Sequence, residues 1–151
     1  MEMPVVASGR VTAHIERPPE EVFEYIGDAE NNPTWRSAVV ETRWLDPGPT
    51  EPGRRGEQTS RLLGRRYTVT AEVVDWEPPV HVSWATITGG ADVRTHCRVE
   101  RDGTGSQVVL ESEGEFTGAW RLLTPVAAAM LRRQSKKDIE RLRAVLENPR
   151  D

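Results

Sequence analysis

The feature that most constrains this chain is a run of alternating residues whose two faces stay in step across successive turns. Thr95, Cys97 and Val99 alternate with Arg94, His96 and Arg98, and Val108, Leu110 and Ser112 alternate with Glu111 and Glu113. Period two is the signature of strands with one face turned from water. A loop over Asp102 to Gly105 sets Val99 opposite Val108, Cys97 opposite Leu110 and Thr95 opposite Ser112. On the other side, Pro78-Pro79 turns the chain into a strand from Val80 to Ile87. With Gly89-Gly90 in a two- or four-residue loop, Trp84 then pairs with Thr95 and Val82 with Cys97. A slip of one residue anywhere would turn one strand's uncharged face outward, so the agreement specifies the register.

The pattern extends towards the N-terminus. Gly64-Arg65 has the glycine-first form of a type II′ hairpin, which places Leu62 opposite Tyr67, Ser60 opposite Val69 and Gln58 opposite Ala71. The inward face is completed by Val73, Thr86 and Val93, and none of its side chains is charged. The opposite face collects Arg61, Arg66, Glu72, Arg94, His96, Arg98, Glu111 and Glu113, with Arg94 facing Glu113 and His96 facing Glu111. That face is expected to be solvated.

The flanks supply the remaining elements. Arg10 to Glu16 alternates as a first strand, with Val11, Ala13 and Ile15 on one side. Pro18-Pro19 ends it, and Glu20 to Ile26 carries Val22, Phe23 and Ile26 at helical spacing, with acids in the first turn. A second short helix or turn holds Trp35, Ala38 to Leu45 reads as a strand, and Asp46 to Gly53 is a Pro/Gly-rich loop. Thr124-Pro125 starts the longest helix, which runs to Glu147. Leu123, Ala127, Leu131, Ser135, Ile139, Leu142 and Leu146 form its apolar stripe, while Arg132, Arg133, Lys136, Lys137 and Arg141 occupy the rest. The order β-α-α-β6-α predicts an α+β helix-grip fold, a curved antiparallel sheet of about seven strands around a long C-terminal helix. Residues 1–9 read as a flexible N-terminus, 10–147 as a single domain and 148–151 as a tail.

Composition narrows the functional classes. With 36% hydrophobic residues and no apolar run near the roughly 20 residues of a membrane span, no integral membrane association is expected. A net charge of -4, with arginines scattered among glutamates, leaves no footprint for nucleic acid. The start lacks the pattern of a secretion signal, and Cys97 is the sole cysteine, which together favour the cytoplasm. His14, His81 and His96 lie on separate strands without metal-ligand spacing, so neither a metal nor another cofactor is expected. No nucleophile elbow or phosphate loop is present. Cys97 reads as a buried structural thiol, because the adjacent His96 points to the other side of its strand. Glu111, Glu113 and Glu115 share a face, but it is the outward one.

The element order, the segments IERPPEEVFEYIGD, VVDWEPPVHVSW, RDGTGSQVVLES and KKDIERLRAVLE, and Trp35 after the first helix together resemble the SRPBCC superfamily. The likeness spans Arg10 to Glu147 and is strongest to the polyketide cyclase/dehydrase and lipid-transport-like branch. It implies a cavity between sheet and terminal helix that takes lipids, polyketides or other hydrophobic molecules.

An inward face dotted with hydroxyl and amide groups suits a wet or liganded cavity better than a filled core, because each unpaired buried polar group costs about 1–3 kcal/mol. Small residues on the helix stripe, Ala127 and Ser135, would leave volume unfilled. Candidate ligand contacts are Gln58, Ser60, Tyr67, Val69, Trp84, Thr86, Thr95, Cys97, Leu110 and Ser112 from the sheet. Trp35 joins them from the second helix, and Ala127 and Leu131 from the last. Three functions follow. The first is a carrier or sensor of a small hydrophobic molecule. The second is a polyketide cyclase or dehydratase with Tyr67 as proton donor and Arg36 polarising a carbonyl. The third is a protein-interaction module, as in chaperone-activating relatives of the superfamily. Oligomeric state is open.

Overall fold

The computed structural model describes residues 5–62, 64–87, 92–116 and 124–148. Seven strands, β1 (Val5–Ile15), β2 (Val39–Trp44), β3 (Arg55–Leu62), β4 (Arg65–Glu77), β5 (His81–Thr86), β6 (Asp92–Asp102) and β7 (Gly105–Phe116), form one sheet. Their order is β1-β7-β6-β5-β4-β3-β2, and the pairings are antiparallel. Helix α1 (Pro19–Gly27), a single 3-10 turn at Ala29–Asn31 and helix α2 (Asn32–Trp35) connect β1 to β2, and helix α3 (Thr124–Glu147) follows the sheet. This is the α+β helix-grip architecture. No helix among the described residues is long and apolar enough to cross a membrane.

The strand registers from β5 to β7 match the alternation. Val82 pairs with Cys97, Trp84 with Thr95, Cys97 with Leu110 and Val99 with Val108. Larger differences lie in the start of β1 and in the β3–β4 register. β1 begins at Val5 rather than Arg10, because the extra residues continue the ladder with β7 as far as Phe116. The β3–β4 hairpin is shifted by two residues: Leu62 pairs with Arg65, Ser60 with Tyr67 and Gln58 with Val69. Gly64, at φ +78, therefore occupies the second loop position, not the first. A shift of two preserves parity, so the assignment of faces survives.

Two bulges do change parity, and no alternation rule places them. In β4 the register steps between Val73, opposite Trp84, and Asp75, opposite Ser83. Asp75 is thereby turned to the outer face and Trp76, paired with Val82, to the inner one, where its ring meets Phe23 at 5.0 Å. The second bulge, between Val39 and Glu41, turns Thr42 inward opposite Gln58.

The core unites Ile15 with Val22, Phe23 and Ile26 of α1, Trp35, the inward residues Val82, Cys97, Val99, Val108 and Leu110, and Ile139, Leu142 and Leu146 of α3. Pro19 opens α1 and Glu20 and Glu21 occupy its first turn, as the positive helix end favours. At the far end of α3, Arg17 Nε donates to the Leu146 carbonyl at 2.8 Å, satisfying an orphan acceptor of the last turn.

A buried carboxylate ties α3 to the short helices. Asp138, only 2% exposed, accepts from the Ser37 amide at 2.8 Å and the Ser37 hydroxyl at 2.9 Å, and its other oxygen lies 3.9 Å from Arg36 Nε. Sequence periodicity missed Asp138, because a charged residue beside an apolar stripe reads as solvated. Its burial becomes tolerable only through partners 101 residues away.

Candidate functional site

The inner faces of β3 to β6, the segment around α2 and the inward-turned part of β2 enclose a small cavity. Its volume is about 70 Å³, room for a few waters and far short of a lipid chain. Gln58, Trp84, Thr86 and Thr95 line it from the strands, and Asn32, Arg36 and Thr42 from the opposite side. Asn32 Nδ2 donates to Gln58 Oε1 at 3.3 Å, closing one end.

The polar groups around this cavity are incompletely satisfied. Arg36 Nε and Thr42 Oγ1 are buried without a hydrogen-bond partner, and so is the indole Nε1 of neighbouring Trp35. Arg36 Nε lies 3.9 Å from Asp138 Oδ2, and its guanidinium carbon is 5.7 Å from the centroid of the Trp35 ring. Burial of such donors is costly unless water or a bound molecule supplies an acceptor. Among the described residues no carboxylate or imidazole lines the cavity. It offers donors and orientation, and no general base.

Of the sheet residues expected at the site, Gln58, Trp84, Thr86 and Thr95 do line the cavity, as does Arg36. Trp35 is buried in the core and does not line the cavity. Ser60 and Ser112 are buried and Val69 is half-buried, all outside the lining. Cys97 and Leu110 belong to the packed core. Burial pushes the Cys97 thiol up to about 12, only partly countered by the Arg36 charge, so it is protonated and inert at neutral pH. Tyr67 is 45% exposed, opposite Ser60 near the β3–β4 turn, and is not among the residues that line the cavity. The side chains of Ala127 and Leu131 lie outside the described residues, as does Leu123. Asn32 and Thr42 were missed. Thr42 is inward only because of the bulge in β2, which leaves no mark in the sequence.

A larger, open groove of about 720 Å³ lies between α1 and the β4–β5 turn. Phe23, Trp44, Trp76 and Pro78 give it apolar walls, while Glu20 and Glu24 contribute to its acidic side. Trp44 borders the groove and Trp84 the inner cavity, and their rings stand 5.6 Å apart at an interplanar angle of 32°. The two tilted indoles bring the lining of the groove up against that of the cavity. Arg54 braces the outer ring, its guanidinium carbon 3.7 Å from the Trp44 centroid.

The three histidines are not all apart, contrary to the expectation from spacing. β5–β6 pairing sets Ser83 opposite His96 and brings the His81 and His96 rings into a stack 5.7 Å between centroids. His14 stands elsewhere, between Asp102, with Nδ1 2.9 Å from the carboxylate, and Glu16.

A family model described as polyketide cyclase / dehydrase and lipid transport matches residues 6–147. No curated protein matches the chain. Solved structures with a similar fold include TTHA0849 from Thermus thermophilus, at TM-score 0.78 and 17% identity over 92% of this chain and 96% of that one. Ara h 8.0201 aligns at TM-score 0.72 and 14% identity, over 94% and 98%. The di-domain ARO/CYC StfQ of the steffimycin biosynthetic pathway aligns at TM-score 0.76 and 13% identity, covering 95% of this chain and 52% of StfQ. At these identities the likeness is one of fold.

Proposed function

The chain belongs to the polyketide cyclase/dehydrase and lipid transport family of the SRPBCC superfamily, and on that premise we infer that it binds a small hydrophobic molecule carrying a hydrogen-bond acceptor, as a carrier or sensor. The observation that carries this reading is the pair of orphan donors at the cavity wall, Arg36 Nε and Thr42 Oγ1. A carbonyl or hydroxyl oxygen of a ligand would satisfy both, while Trp84 and Val93 contact its apolar part. The cavity volume is too small for such a molecule, so uptake requires the cavity to open, and the Trp44–Trp84 pair, where the groove and cavity linings meet, is the place for it to do so.

The test is fluorescence titration with 1-anilinonaphthalene-8-sulfonate, combined with native mass spectrometry of the purified protein. Saturable uptake that weakens in Arg36→Met and changes tryptophan emission supports the reading. A protein that carries no co-purified molecule and takes up no apolar probe would end it.

A cyclase reading has one observation in its favour, the Arg36 guanidinium at the cavity wall, positioned to polarise a carbonyl oxygen during ring closure. Tyr67, exposed and outside the lining, has no place in it. Turnover of a poly-β-carbonyl substrate that falls in Arg36→Met and persists in Tyr67→Phe would support this reading; identical products with and without protein would remove it.

A further inference from the structure

We propose that Asp75, His81 and His96, gathered on the outer face of the sheet, form a binding site for a divalent transition metal of the zinc type. Three adjacent strands supply the three residues, and one ligand atom from each lies within 4.8 Å of the other two. Two imidazole nitrogens and one carboxylate oxygen are a donor set that suits zinc and leaves a fourth position for water.

Three independent features set this cluster apart from a chance meeting of polar side chains. The first is burial. His81 is 6% exposed although it belongs to the outer face, and its Nε2 has no hydrogen-bond partner. An imidazole nitrogen left orphaned at that depth costs stability unless something occupies it.

The second is the bulge in β4. Regular alternation after Val73 would turn Asp75 into the apolar interior; the register step instead sets it opposite Ser83, on the same face as both histidines. Bulges are a common means of re-aiming one side chain.

The third is the support behind the carboxylate. Ser83, 1% exposed, donates its hydroxyl to Asp75 Oδ2 at 2.6 Å and accepts from the Asp75 amide at 3.1 Å. That hydrogen bond orients the carboxylate and leaves its second oxygen for a ligand, as outer-shell partners of metal sites do.

The surrounding charges are mixed. Arg98, opposite His81 in the ladder, opposes a cation. Glu77, with Oε2 3.7 Å from His81 Nδ1, and Glu111, opposite His96, favour one.

The test is isothermal titration of chelator-treated, tag-free full-length protein with zinc chloride. One equivalent should bind with a dissociation constant on the order of micromolar. His96→Gln, a half-buried position whose loss leaves the core intact, should weaken binding at least about tenfold, and Ser83→Ala should weaken it less by releasing Asp75. Circular dichroism of each variant checks folding. Failure of wild-type protein to bind stoichiometrically below about 100 μM, or equal binding by His96→Gln, overturns the proposal. Both outcomes are independent of the inner cavity and of the ligand-binding reading.

Discussion

The two faces of β5 are buried to the same degree by opposite means. Inward, Val82 is closed off within a cluster of Ile, Val, Leu and Trp side chains. Outward, on what alternation marks as the solvent face, Ser83 and His81 are nearly as inaccessible, yet their neighbours are Asp75, His96 and Glu77. Inside, the free energy of burial comes from removing apolar surface from water. Outside, it depends on polar groups being paired, and one of them, His81 Nε2, is not. Burial alone therefore says little about how a face responds to change: one should lose stability with volume, the other with hydrogen-bonding partners.

The sharpest way to break this contrast is to delete volume on the inner face. Leu110→Ala, in the centre of the core, should cost about 2–5 kcal/mol in urea unfolding. A much smaller loss would mean that the interior collapses readily, and that the cavity is an expression of loose packing. The matching change outside is Ser83→Ala, which removes almost no volume but strips Asp75 of a hydroxyl donor and its amide of an acceptor. It should cost about 1–3 kcal/mol by the same measurement, and a neutral result would show that water replaces the hydroxyl.

Thr42→Val separates the orphan groups of the interior from the satisfied ones. The hydroxyl has no partner, so removing it at constant shape should raise stability by about 1 kcal/mol in a thermal melt of ligand-free protein. Destabilisation instead would mean that the hydroxyl is bonded in solution, through water or a bound molecule.

The smallest effect belongs to the rim, where His14 bridges strands β1 and β6 through Glu16 and Asp102. Glu16 and then Asp102 raise the pKa of His14 above its usual 6.5, and His14 in turn lowers that of Glu16. A raised histidine stabilises the fold fully below the unfolded value and loses that contribution as pH rises through the folded one. Urea midpoints of wild-type protein should therefore decline as pH rises through this range, relative to His14→Gln. Parallel curves would show that exposure screens the pairs completely.

Much of the architecture is legible in the residues themselves. The pairing of Trp84 with Thr95 and of Cys97 with Leu110 follows from alternation and loop length, because a hydrophobic face and a short turn together leave one register free of conflict. The β3–β4 hairpin shows the limit of the same reasoning. Gly64 marks the turn, but one glycine does not say which of two loop positions it fills, so Tyr67 stands opposite Ser60 instead of Leu62. Part of the cavity wall, Gln58, Trp84, Thr86 and Thr95, shared the inward parity and was found. Thr42 was not, because a bulge inverts parity without altering composition.

Local sequence determined which segments extend, which coil and which face of each strand shuns charge, since these follow from steric periodicity and from the transfer of side chains out of water. Tertiary structure alone decided that Asp138 is a buried anchor, that Asp75 joins two histidines on the outer face, and that Trp44 of the groove stands beside Trp84 of the cavity. Each of those arrangements depends on partners on other elements and on bulges or chain packing that bring them within reach, and contact across such separations is a property of the folded chain that no local pattern encodes.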